Sequence, residues 1–299
     1  MNVLVVSGFL GSGKTTFIST LAKKTKNEFL VMENEYGSEN IDADILRDDR
    51  LKVWELTEGC ICCSLKGDFA TSILTIANSI DAEYLVVEPT GLGFLSSIMK
   101  NISKIEYDRI KLLAPITIVD VHAVSSSLEK FGAIYADQIK NAAIIVLSKL
   151  EDALPKGKDD AIAIINSLNP KACLIKDCYD GLSSEWWDGL FDNFYNPKYQ
   201  SASVKEDVDF ESLENVSLKG ASVSSVWELL EILVAILRGF FGSIYRAKGV
   251  LNIGGNWTRF DVVDRRYSVA LSERQKEGKA VFIGQKLDKK KIYKAFGVV

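Results

Sequence analysis

The chain has 299 residues, 47% of them hydrophobic and 25% charged, with a formal net charge of −4. That length can bury a large core and has room for two domains, and the acidic balance offers no basic footprint, which argues against nucleic acid as a partner. Glu228 and Glu231 interrupt the oiliest stretch, 226–237, so no run approaches the ~20 apolar residues that span a bilayer and no membrane partner is expected.

Residues 2–7 form a short apolar run that reads as a strand, and it feeds directly into Gly8-Phe9-Leu10-Gly11-Ser12-Gly13-Lys14-Thr15-Thr16. This is the pattern G-x-x-x-x-G-K-T with a strand before it and helix-compatible residues after it, the context of a phosphate-binding P-loop. Its glycines let the backbone curl with N–H groups pointing inward at phosphate oxygens. The helix starting near Lys14 adds its positive end. Lys14 is expected to reach the outer phosphates and Thr15 to place its hydroxyl on Mg²⁺, with Ser12 and Thr16 in the same binding segment. Met1 runs straight into the strand, leaving no basic n-region of a signal peptide, so a cytoplasmic location is expected.

Phe17, Ile18, Leu21 and Ala22 then recur as the buried stripe of a first helix. Residues 29–32 read as a strand, leading through Glu33-Asn34-Glu35-Tyr36-Gly37 into a polar loop. A third strand over 51–56 ends at Thr57-Glu58-Gly59-Cys60-Ile61-Cys62-Cys63, and Leu65, Phe69, Ile73, Ile76, Ala77 and Ile80 share one face of the next helix. Residues 84–87 are a strand ending at Glu88-Pro89-Thr90-Gly91. Further strands are expected at 112–119 and 142–147, with helices at 123–129, 133–140 and 159–167. Short continuous apolar strands alternating with helices predict an α/β fold with a mainly parallel sheet covered on both faces. Ligands gather at the carboxyl ends of such strands, so Gly8, Glu33, Gly59, Glu88, Asp120 and Ser148 should share one rim.

The first domain is expected over 1–195, a polar linker over 196–211 and a small α+β domain over 212–299. In the latter, a strand at 216–219 precedes an amphipathic helix over 226–237 that Gly239 and Gly242 end. Strands follow at 243–253, 258–263, 267–271 and 280–283, and Asp288 opens a last helix reaching 296.

Three of the five cysteines occupy 60, 62 and 63. Without an export signal this spacing favours thiolate chemistry over disulfides. Buried thiols are common small core residues, yet three in four positions cannot all point into one core from an extended strand. A turn at Gly59 would bring Cys62 and Cys63 to the N-terminus of the following helix, where thiol pKa values fall. Thiolates select Zn²⁺, Co²⁺ or Cu⁺, and three ligands with an open fourth position suit a transfer site better than a closed structural one. Glu88 is placed to act through Mg²⁺ or its water, and Gly91 to offer its N–H to a γ-phosphate; the alternative is a solvated strand-end acid. Asp120 belongs to the same neighbourhood.

Ser148-Lys149-Leu150-Glu151 is close to the guanine-reading N-K-x-D signature, in which the Lys149 stem would pack over the base and the Glu151 carboxylate accept two base N–H groups. Hydrogen bonds to a charged group contribute about 1.5–3 kcal/mol each, roughly tenfold discrimination or more. Ser148 replaces Asn and Glu151 replaces Asp, so guanine preference is blunted, and the tetrapeptide also reads as a strand end with two exposed charges.

These motifs together resemble the CobW-type metallochaperone GTPases, relatives of the nickel-insertion GTPases HypB and UreG. Residues 8–16 look like that family's P-loop, Asn34-Glu35-Tyr36-Gly37 like its first switch, Gly59-Cys60-Ile61-Cys62-Cys63 like its C-x-C-C metal motif, and Glu88-Pro89-Thr90-Gly91 like its E-x-x-G. Arg246-Ala247-Lys248-Gly249, the Trp257 region and Val281-Phe282-Ile283-Gly284 are similar to its C-terminal domain. The resemblance implies GTP hydrolysis coupled to delivery of a transition metal, Zn²⁺ or Co²⁺, or to cofactor assembly such as that of a corrinoid, on a client metalloprotein or assembly enzyme, and it is compatible with a homodimer. Lys14, Glu88 and Gly91 would be its catalytic residues, and Glu35 would join the nucleotide site.

Three features depart from the family pattern. Ser38 stands where the first switch often continues with Glu, the base signature is altered, and no His-rich segment exists, the one histidine being His122. His122 reads as a loop or helix-start residue, with no cysteine local to it. Leu92, not Gln, follows Gly91, so slow intrinsic turnover accelerated by a partner is expected. Two other classes stay open: an ATP-dependent P-loop kinase or ATPase with structural thiols, and a non-hydrolysing nucleotide-dependent metal sensor or adaptor.

Overall fold

A computed structural model describes residues 1–33, 52–55, 68–107, 109–197, 214–263 and 266–298. These divide into two compact units, one ending at residue 197 and one beginning at 214. Most of the expected linker lies outside the described residues, as does the start expected for the helix over 65–80.

The first unit is built on β1 (Asn2–Gly8), β2 (Phe29–Glu33), β3 (Lys52–Glu55), β4 (Tyr84–Glu88), β5 (Lys111–Leu112), β6 (Ile116–Asp120), β7 (Ile144–Ser148) and β8 (Cys173–Ile175). The order is β3-β2-β4-β1-β6-β7-β8 and every pairing is parallel, with β5 beside the first residues of β1. Val3 to Val6 of β1 are fully buried, as a central parallel strand covered on both faces must be. Helices α1 (Lys14–Lys24), α2 (Asp68–Ser79), α3 (Leu95–Ser103), α4 (Val124–Lys140), α5 (Pro155–Leu168) and α6 (Ser184–Gly189) connect or flank the strands.

Two local expectations are revised. The strand over 112–119 is two pieces on one edge of β1, β5 pairing with Asn2–Val3 and β6 with Val6–Gly8. Pro115 lies between them and has no N–H to give a ladder, while its carbonyl accepts from Ala143 and Ile144. The helices over 123–129 and 133–140 are one helix, α4, with non-helical angles at Phe131 (φ −127°, ψ 25°). The Phe131-Gly132 pair kinks the helix without ending it.

Helices α3 and α6 had no clear signal in the sequence. Ser183 caps α6 by accepting from Trp186 N–H, and Trp187 packs on Phe17 of α1 with ring centroids 5.2 Å apart. Burying such a side chain contributes about 2–3 kcal/mol.

The second unit is an antiparallel sheet of β9 (Glu214–Lys219), β10 (Ser243–Ile253), β11 (Asn256–Val263), β12 (Arg266–Leu271) and β13 (Lys279–Gln285), in the order β12-β11-β10-β13-β9. Helix α7 (Val226–Leu237) is capped by Ser225, and α8 (Lys289–Ala295) by Asp288. Leu229, Leu233, Ala247, Leu251, Phe260, Phe282 and Phe296 form its core. Gly239 and Gly242, both at positive φ, follow α7 as expected. No helix among the described residues is long and apolar enough to cross a membrane.

Candidate nucleotide site

The P-loop begins where β1 ends. Gly8 has φ 148°, and a Cβ there would strike the Ile118 carbonyl and lie 2.6 Å from Ser12 Oγ. Ser12 N–H closes the loop onto the Phe9 carbonyl at 3.1 Å. Gly13, at φ 97°, is the N-cap of α1, provides no side-chain cap, and is followed by no acidic residue in the first turn. The first N–H groups of a helix lack intrahelical partners, so this end is available to an anion.

Around it stand side chains suited to a metal-bound triphosphate. Lys14 is buried, with Nζ donating to the Phe9 carbonyl at 3.3 Å, so its ammonium lies along the loop. Ser12 Oγ is buried and has no hydrogen-bond partner among the described residues. Thr15 Oγ1 donates to Glu88 Oε1 at 3.0 Å. A hydroxyl and a carboxylate joined beside an anion cradle are the hard oxygen donors that Mg²⁺ takes when it accompanies phosphates. The residues present therefore fit Mg²⁺ with a nucleoside triphosphate: Lys14 and the loop N–H groups on phosphate, Thr15 and Glu88 on the ion or its water. Thr16 is exposed, and its carbonyl accepts from Thr20 Oγ1 at 3.0 Å.

Parallel register gathers the strand ends. Glu33 is the register partner of Glu88, and Asp120 that of Ser148. Ser148 Oγ donates to the Ser12 carbonyl at 2.6 Å, tying β7 to the P-loop. Asp120 is buried and fully engaged: Oδ2 accepts from Lys149 Nζ at 2.8 Å and Oδ1 from His122 N–H at 2.9 Å. Lys149 has φ 57°, a left-handed conformation uncommon for a residue with Cβ, and its carbonyl accepts from His122 Nε2 at 3.0 Å. His122 thus closes a turn before α4. Glu151 is exposed. Burial first, then neighbouring Asp180, Cys178 and Glu151, push the Tyr179 phenol up to about 12.

Loss of one buried hydrogen bond costs about 1 kcal/mol. Ser148→Ala is therefore expected to weaken binding of a fluorescent GDP about fivefold by titration; unchanged affinity would mean that the Ser12 carbonyl needs no anchor.

Gly91 lies against the P-loop so closely that a Cβ would be 2.6 Å from Leu10 N and 2.9 Å from Phe9 C. What the sequence did not reveal is that α4 packs behind it. Gln138 and Asp137 of α4 are both buried and both bond to the segment from Gly91 to Ser96. Burial pushes the Asp137 carboxyl above the usual carboxylate range, against hydrogen bonds from Ser96 and Leu95 that lower it. The signal was a pair of polar residues interrupting the apolar stripe of α4 between Ile134 and Ile139.

Glu35, Gly59 and the cysteines Cys60, Cys62 and Cys63 lie outside the described residues. Among the described residues, no group of three His, Cys, Asp or Glu could hold a metal ion, and Cys173 and Cys178 are exposed thiols.

Compared with known proteins, residues 2–176 match the nucleotide-binding domain of the CobW/HypB/UreG family, more than half of the chain. The chain belongs to the CobW/HypB/UreG family. Residues 225–299 match the C-terminal domain of the cobalamin synthesis protein cobW, so both units carry CobW-family sequence. The zinc chaperone YjiA of Escherichia coli (strain K12) is 26% identical, over 98% of this chain and 97% of its own length. The zinc chaperone YeiR of the same strain is 32% identical over 52% of this chain, which spans about half of YeiR, 48%. The zinc-regulated GTPase metalloprotein activator 1 of Dictyostelium discoideum is 23% identical over 58% of this chain and 45% of its own length. A crystal structure of Zn(II)-bound YjiA GTPase from E. coli aligns over 99% of this chain and 98% of that one at 20% identity, with a TM-score of 0.48.

Proposed function

We propose that this CobW-family chain is a GTP-hydrolysing metallochaperone that carries a transition metal on Cys60, Cys62 and Cys63 and delivers it to a client metalloprotein. The observation that carries the nucleotide half is the Thr15–Glu88 hydrogen bond beside an open helix N-terminus. It joins the P-loop hydroxyl to the strand-end acid where Mg²⁺ and the outer phosphates belong. Lys14, Glu88 and the Gly91 N–H act on the triphosphate, and Asp120 orients Lys149 toward the base, with Glu151 and Glu35 completing the nucleotide site. Two relatives named as zinc chaperones and one as a zinc-regulated GTPase favour zinc over cobalt as cargo. The domain that binds GTP spans 1–195, the linker 196–211 and the C-terminal domain 212–299, and the protein works in the cytoplasm.

Nucleotide state gates the metal in this scheme, because a γ-phosphate orders switch segments and Gly59 follows a strand of the same sheet. Elemental analysis of protein purified with GDP or with a non-hydrolysable GTP analogue tests it. Zinc is expected at about one per chain in one state and lost in the other, with Cys60→Ser weakening retention about tenfold or more. Equal zinc in both states, or full retention by the serine variant, would overturn the carrier role. The altered tetrapeptide at Ser148 and Glu151 keeps ATP as a second reading, and competition of ATP against GTP decides it.

A further inference from the structure

Helix α4 reaches both halves of the nucleotide site. Its Phe131 and Tyr135 rings pack on Phe9 of the P-loop, with centroids 4.6 and 5.6 Å away. One turn later Gln138, 1% exposed, donates through Nε2 to the carbonyl oxygens of Gly91 at 3.0 Å and Gly93 at 2.9 Å. The adjacent Asp137 accepts the Ser96 N–H at 3.0 Å, and Asn141 Nδ2 donates to its other oxygen at 3.0 Å. A single stretch of helix thus holds the segment from Gly91 to Ser96 at three points.

Chemistry fixes which way the Gln138 amide points. Two carbonyl oxygens can be met only by its NH₂ group. Its own backbone carbonyl accepts from Thr117 Oγ1 at 2.9 Å, which anchors the residue to β6. Gln138 Oε1 is buried with no hydrogen-bond partner among the described residues. A left-over buried acceptor lowers stability, so two donated bonds come here with a desolvation cost that an apolar side chain would not carry. The amide is better explained by what it holds than by what it adds to folding.

We propose that Gln138 is a positioning residue for the γ-phosphate: it keeps the Gly91 loop closed on Phe9 and Leu10, so that Gly91 meets the third phosphate without first being ordered. It touches no nucleotide itself. This rests on the proposed role of Gly91 as the γ-phosphate contact. A loop held in place before binding avoids the ordering cost at the moment of binding, and only ligands that reach the loop gain from it. The consequence is selective: triphosphate is favoured and diphosphate is indifferent.

Gln138→Met keeps the length of the side chain and removes its donors. Calorimetric titration of the full chain with Mg²⁺·GDP and with Mg²⁺ and the β,γ-imido analogue of GTP reads the difference. The GDP Kd is expected to stay within about twofold, the analogue Kd to weaken about tenfold, equivalent to ~1.4 kcal/mol, and single-turnover hydrolysis at saturating GTP to slow by a similar factor. Parallel weakening of both ligands, no change in either, or tighter analogue binding would each overturn the proposal. Should the methionine variant not fold, Gln138→Asn, which retains the amide but withdraws it by one C–C bond, should show the same selective loss. If the unaltered chain neither hydrolyses GTP nor distinguishes analogue from GDP, the proposed GTPase function fails instead.

Discussion

Gly91→Ala is expected to slow single-turnover GTP hydrolysis about 100-fold while leaving GDP affinity close to that of the unaltered chain. The added Cβ would sit 2.6 Å from Leu10 N, 2.9 Å from Leu10 Cα and 2.9 Å from Phe9 C. All three neighbours are P-loop backbone, held by β1 and by the Ser12–Phe9 turn, so the P-loop cannot give way cheaply. The Gly91 segment must retreat instead, which also pulls its carbonyl from Gln138 Nε2. A displacement of about 1 Å at a reacting centre is enough to cost two orders of magnitude. With Gly91 in its proposed role as the γ-phosphate contact, diphosphate would stop short of it, so GDP affinity reports whether the P-loop survived. An alanine variant that hydrolyses GTP at the original rate would remove Gly91 from the mechanism.

Glu88→Gln carries the other large effect. Glutamine preserves size and can still accept the Thr15 hydroxyl, so the change isolates the charge on a side chain that is 4% exposed. With Glu88 in its proposed place on Mg²⁺ or its water, hydrolysis is expected to fall about 100-fold or more, because charge developing on the transferring phosphate would lose part of its stabilisation. The stimulation of GTP binding by Mg²⁺ should disappear, whereas GDP binding in EDTA should not change. A variant that melts earlier and loses GDP affinity in EDTA would assign Glu88 a structural role.

Within the first unit, the readings that held were those whose cause is local. Gly13 at positive φ and Lys14 opening a helix are adjacent in the chain, and the apolar runs at β1, β4 and β7 are strands because continuous burial allows little else. The readings that needed revision failed for equally local reasons. Pro115 splits a run that hydropathy alone joins, and the two helices expected over 123–129 and 133–140 are one helix that only kinks at Phe131. Helix α3 carries no clear local signal because Gly91-Leu92-Gly93 precedes it and Asp137, a residue far along the chain, binds its amino-terminal N–H groups.

The amino-acid sequence by itself determined the chemistry available: a phosphate cradle with its lysine and hydroxyl, an acid at the end of a buried strand, a glycine after it, and a second α+β unit. Each of these is written in a few consecutive residues whose backbone preferences act over one turn or one strand. Only the tertiary structure decided which groups meet. Thr15 and Glu88 are 73 residues apart, Gly91 and Gln138 are 47, and Ser12 and Ser148 are 136. Parallel strands joined by crossovers bring their carboxyl ends to one rim whatever the length of chain between them. Register and helix packing set those pairings, and no local pattern encodes either.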